Sequence, residues 1–69
     1  MTNEDTFNGS LRNFLKKVGI TSQREIEKAV RDAIAAGKLK GNEKLPAKMT
    51  LSIGRIELSH VVEGSINLE

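Results

Sequence analysis

The hydrophobic period of this chain changes once, at Ala47, from the 3.6 residues of a helix to the two of a strand. Everything before that point can bury an apolar stripe only as helix, and everything after it can bury an apolar face only as sheet. A chain of 69 residues is too short to repeat either layer. The expectation is therefore one domain, residues 1–69, of the α+β class, with helices first and strands last.

In the first half, Phe7, Leu11, Phe14, Leu15 and Val18 share one helical stripe. They predict a helix over 4–18. Asn3 is placed to cap it, Glu4 and Asp5 suit the positive end of its dipole, and Lys16 and Lys17 suit the negative end. Gly9 weakens the middle by about 1 kcal/mol relative to alanine. Gly19 reads as the left-handed residue that stops the helix. Ser22 followed by Glu25 then fits a reciprocal capping box, which predicts a second helix over 22–36 with Ile26, Ala29, Val30, Ala33 and Ile34 as its buried stripe. Glu27 and Arg31 pair on its outer face, and Gly37 ends it. Lys38 to Lys44 reads as a polar connection that Leu39 and Leu45 tack down.

In the second half, Met49, Leu51 and Ile53 alternate with Lys48, Thr50 and Ser52, and Ile56 and Leu58 alternate with Arg55, Glu57 and Ser59. The phase shift at Gly54-Arg55 predicts a two-residue turn that sets Ile53 opposite Ile56, Leu51 opposite Leu58 and Met49 opposite His60. A second turn at Val62-Glu63-Gly64, with Gly64 left-handed, keeps Ile66 and Leu68 on the same face. The predicted strands span about 47–53, 56–61 and 65–68. Two amphipathic helices packed on one face of a three-stranded antiparallel meander is the expected fold.

Such a fold must be held by aliphatic packing. The chain has no cysteine, tryptophan or tyrosine and only two phenylalanines, so disulfide support and cysteine-based zinc sites are excluded. A core this small leaves room for completion by a second copy. No apolar run reaches the length of a membrane span or a signal-peptide core, and the first residues are acidic, which gives the expectation of a cytoplasmic protein with no membrane partner.

The formal net charge of +2 is unevenly spread. Ten Lys or Arg residues lie between Arg12 and Lys48 against four acids, Glu25, Glu27, Asp32 and Glu43. Arg12, Lys16, Lys17, Arg24, Lys28, Lys38, Lys40, Lys44 and Lys48 are thus the candidate contacts for an anion or nucleic acid. Two helices joined at a glycine and followed by strands are superficially like winged helix-turn-helix domains. The positions that motif fills with small or apolar residues hold Leu15, Glu25 and Lys28 here. With almost no aromatic side chains to stack on bases, nucleic acid is the less favoured partner.

His60 is the one side chain that titrates near neutrality. Its expected place on the apolar face would keep it neutral. No nucleophile or orienting acid stands at a recognisable spacing from it, so a structural histidine is the better reading. Glu57 and Glu63 read as solvated carboxylates. No phosphate-cradling glycine loop, dinucleotide fingerprint or two-histidine zinc pattern is present. The expectation is a protein that is not an enzyme, with no catalytic, metal or cofactor site.

Glu4-Asp5-Thr6-Phe7-Asn8, Phe14-Leu15-Lys16-Lys17-Val18-Gly19 and Thr21-Ser22-Gln23-Arg24-Glu25-Ile26-Glu27 together resemble a family of short bacterial proteins known only as a domain of unknown function. The resemblance spans nearly the whole chain and implies no activity. From the residues themselves, the expected role is a non-catalytic binding or self-association module. Its partner is another protein or a second copy in a homodimer, and the alternative is weak anion or nucleic-acid binding through residues 12–48.

Overall fold

The computed structural model describes residues 2–69. It divides into a helical unit ending at Ala36 and a hairpin unit, Gly37–Glu69. The helical unit is one continuous helix, α1, Glu4–Ala35, of 32 residues. The hairpin unit holds β1, Lys44–Ile53, and β2, Leu58–Asn67, joined through a short 3-10 turn, Gly54–Ile56. The class is α+β as expected, but one helix and a two-stranded antiparallel sheet replace the two helices and three-stranded meander.

α1 begins where the sequence places it. The Asn3 side chain accepts a hydrogen bond from the Thr6 N–H at 3.1 Å, and Glu4 and Asp5 occupy the first turn. The expected stop at Gly19 is absent. Gly19 does not adopt positive φ, and the helix runs through it. The reason lies in the stripe. Val18, Ser22 and Ile26 are spaced by four, so the apolar residues on either side of Gly19 are already in phase on one helix. A break there would discard that alignment to save about 1 kcal/mol of glycine cost. Ser22 and Glu25 therefore lie mid-helix rather than in a capping box, and Lys16 and Lys17 sit at its middle rather than its end. The expected Glu27–Arg31 pair is present at 3.8 Å, and Gln23 also donates to Glu27 at 3.0 Å. At the other end the Ala36 N–H donates to the Asp32 carbonyl at 2.9 Å, and Gly37 at φ 77° takes the left-handed conformation expected of it.

The connection to the hairpin is organised by one side chain. The Glu43 carboxylate accepts from the backbone N–H groups of Lys40, Gly41 and Asn42 at 2.8, 2.9 and 3.2 Å. These three donors hold its pKa below the ordinary value of 4.5, the Lys40 bond contributing most. Leu39 and Leu45 are half-buried.

In the sheet, Ile53 pairs with Leu58, Leu51 with His60, Met49 with Val62, Ala47 with Gly64 and Leu45 with Ile66. This register replaces the expected one, in which Ile53 faced Ile56 and Met49 faced His60. A two-residue turn with Gly54 first requires positive φ at Gly54, and Gly54 does not have it. The turn instead takes in Ile56, which is 67% exposed, and closes on Glu57 at φ 55°, whose N–H donates to the Gly54 carbonyl at 3.1 Å. The second expected turn also dissolves. Leu58, His60, Val62, Gly64 and Ile66 alternate without a phase shift, so Val62-Glu63-Gly64 continues β2, with Gly64 opposite Ala47, and the described residues hold no third strand. Met49, Leu51, Ile53 and Leu58 do share one face, with Thr50, Ser52 and Ser59 on the other.

The Leu68 N–H bonds the Glu43 carbonyl at 3.0 Å, which makes 43 and 68 a hydrogen-bonded pair in line with the ladder. By alternation, the pair Pro46 and Ser65 is then non-hydrogen-bonded. Pro46 thus occupies a position whose nitrogen points away from β2, where proline removes no bond of the ladder.

Candidate functional site

The feature that sets this molecule apart is apolar surface left in water in each unit. Among the described residues none is buried. On α1 a stripe passes through Phe7, Leu11, Phe14, Val18, Ser22, Ile26, Ala29 and Ala33 at spacings of three or four. Leu15 and Val30 widen it. Phe7, Phe14 and Leu15 keep 52%, 50% and 54% of their surface exposed. Large side chains crowd the first half of the stripe and small ones the second. A shallow groove lined by Phe14, Lys17, Val18, Thr21 and Ser22 lies at the middle of α1.

The hairpin has its own apolar face. Leu45, Ala47, Met49, Leu51, Ile53, Leu58, Val62 and Ile66 lie on it with His60 and Gly64. Met49, Ile53 and Val62 are among its exposed members, whereas Leu45, Ala47, Leu51 and Ile66 are half-buried. Val62, expected in a turn, pairs with Met49 and is part of this face. His60 stands opposite Leu51 rather than Met49 and is exposed, so the enclosure expected of it is missing. Among the described residues no three His, Cys, Asp or Glu side chains gather where they could hold a metal ion.

The nine basic candidates fall into separate groups. Lys17, Arg24 and Lys28 follow one another along one side of α1, joined by Arg31, while Arg12 and Lys16 lie one turn apart on a neighbouring side. Lys38 and Lys40 belong to the connection. Lys44 and Lys48 lie on the polar side of β1, and Lys48 faces Glu63 across the strands. The structure therefore brings together subsets of these residues within each unit. Among the described residues no helix is long and apolar enough to cross a membrane.

Sequence reasoning found most members of both apolar faces and missed their continuity. The spacing of four from Val18 to Ser22 to Ile26 was the available signal for the helix, and the unbroken alternation from Leu58 to Ile66 for the strand.

A family model described as a family of unknown function (DUF6494) matches residues 2–69. No curated protein and no solved structure matches the chain.

Proposed function

Since the chain belongs to the family of unknown function DUF6494, we propose its role from its own geometry: it is a small, non-catalytic self-association module. The observation that carries this reading is the apolar face each unit keeps in water. A helix draws most of its stability in proteins from the packing of such a face, and α1 carries Gly9 and Gly19 in its interior. A two-stranded hairpin is marginal alone in water. A second copy of the chain supplies the missing cover at no cost in new sequence. A bacterial, cytoplasmic setting belongs to the same proposal. It is supported by the resemblance to short bacterial proteins and by a composition that relies on no disulfide.

Sedimentation equilibrium over a wide concentration range, paired with thermal melts, tests the proposal. A dimeric mass and a melting temperature that rises with protein concentration are expected. A monomeric mass at high micromolar concentration with a concentration-independent melt would overturn it.

The row of Lys17, Arg24, Lys28 and Arg31 on one side of α1 supports a second reading, weak binding of a polyanion. Binding of that kind falls steeply with salt and is indifferent to sequence. A duplex titration at two ionic strengths distinguishes it from base-specific recognition.

A further inference from the structure

We propose that the self-association above is an antiparallel pairing of α1 with α1 of a second copy, about a twofold axis level with Ile20. The inference rests on that self-association and specifies its geometry. The stripe on α1 is asymmetric in size. Its first half carries Phe7, Leu11 and Phe14, and its second half carries Ala29 and Ala33. Laid antiparallel about Ile20, Phe7 meets Ala33 of the second copy, Leu11 meets Ala29, Phe14 meets Ile26, and Val18 meets Ser22. Large faces small along the helix, so the axes stay evenly spaced at the 8–10 Å or so that helix packing requires. Laid parallel, phenylalanine meets phenylalanine at one end and alanine meets alanine at the other. The helices would then have to splay.

The edges of the stripe carry charges of both signs. An antiparallel twofold brings like edges of the stripe together, and a parallel one brings unlike edges together. Lys17, Arg24 and Glu25 lie on the same edge, so the antiparallel pair sets Lys17 level with both Arg24 and Glu25 of the second copy, the acid nearer the stripe, twice by symmetry. The other edge is flanked by Arg12 and Lys16, and the parallel pair would set Lys17 against those cations. The helix dipoles also oppose one another only in the antiparallel pair. The area is adequate. Aromatic side chains offer roughly 150–250 Å² each, so two half-exposed phenylalanines together with Leu11, Leu15, Val18, Ile26 and Val30 supply most of the roughly 800 Å² per partner of a standard interface.

The chain has no cysteine, so single cysteines can be placed as unique probes. Asp5 and Gln23 are both exposed and lie five turns apart on one side of α1. Asp5→Cys and Gln23→Cys variants of the full chain, each carrying one nitroxide, are measured by double electron–electron resonance. The antiparallel pair places the two Asp5→Cys labels about 45 Å apart along the axis and the two Gln23→Cys labels only about 9 Å apart along it, at 1.5 Å per residue. A long distance for the first and a short one, under about 25 Å in all, for the second is the expected result. Similar short distances for both would establish a parallel pair and overturn the proposal. A dimeric mass with long distances for both would place the contact outside α1 and overturn it equally, leaving self-association standing. Absence of dipolar modulation with a monomeric mass would remove self-association itself.

Discussion

Leu68 donates its backbone N–H to the carbonyl of Glu43 at 3.0 Å, closing the hairpin on the same residue whose carboxylate gathers the N–H groups of Lys40, Gly41 and Asn42. One residue thus ties the end of β2 and shapes the loop leading into β1. The ionised carboxylate is the form that accepts these bonds, so its pKa lies below 4.5, with the Lys40 N–H as the largest cause and the Gly41 N–H next. A group with a lowered folded-state pKa contributes stability that is present above its unfolded pKa and lost as pH falls through the folded value. The loop is therefore expected to loosen only below pH 4.5. Amide chemical shifts of Lys40 and Gly41 should titrate together with a midpoint under that value. Glu43→Gln should abolish the titration and lower the melting temperature, and a midpoint at or above 4.5 would contradict the assignment.

Gly19 offers a direct test of the single helix. Apart from the local helix backbone, no atom lies within 4 Å of a Cβ built there, and its φ is not positive. Gly19→Ala should therefore stabilise the fold by about 1 kcal/mol through helix propensity. A left-handed helix stop would lose a similar amount on the same change. Thermal melts at one fixed protein concentration read the sign.

Glu57 and Gly37 give opposite expectations from the same backbone conformation. Glu57 holds φ 55° with a side chain, and Gly37 holds φ 77° without one. Glu57→Gly should gain about 1 kcal/mol by relieving the left-handed penalty. Gly37→Ala should lose about as much although its surroundings are open. Denaturant unfolding of both variants checks the pair, and equal signs would count against the turn geometry.

The size pairing along α1 predicts a rescue. Ala33→Phe alone should weaken dimerisation by about tenfold or more, because a phenylalanine then meets Phe7 of the second copy. Adding Phe7→Ala should recover most of the affinity by restoring large against small. Sedimentation of the single and double variants decides it. A double variant weaker than Ala33→Phe would show that residues 7 and 33 do not meet.

Helix and strand content was legible wherever a residue's role is set by its immediate neighbours. Asn3 caps, Gly37 terminates and Glu27 pairs with Arg31 because each interaction closes within a few residues. The failures arose where a local signal competed with a longer one. Gly19 followed by Ser22 and Glu25 has the composition of a helix break, yet the phase of Val18, Ser22 and Ile26 runs across it. Val62-Glu63-Gly64 has the composition of a turn, yet alternation continues through it, and extending β2 gives Lys44 to Ile53 ten paired residues. Phase over several turns outweighed residue type at one position. The candidate site was legible in its members and not in its extent. In the sequence Glu43 is one acid among basic neighbours, and nothing in its type reveals that three consecutive N–H groups converge on it.

Pro46 gives the hairpin a direction. Along the outer edge of β1, the backbone groups that face away from β2 belong to Lys44, Pro46, Lys48, Thr50 and Ser52, and the proline leaves a gap in that row of donors. The outer edge of β2 presents Ser59, Val61, Glu63, Ser65 and Asn67 with no such gap. An incoming strand can zip fully onto β2 but meets a missing rung and two lysines on β1. Growth of hairpins edge to edge into a fibre needs both edges, so the proline and the two lysines on β1 disfavour it beyond one added strand.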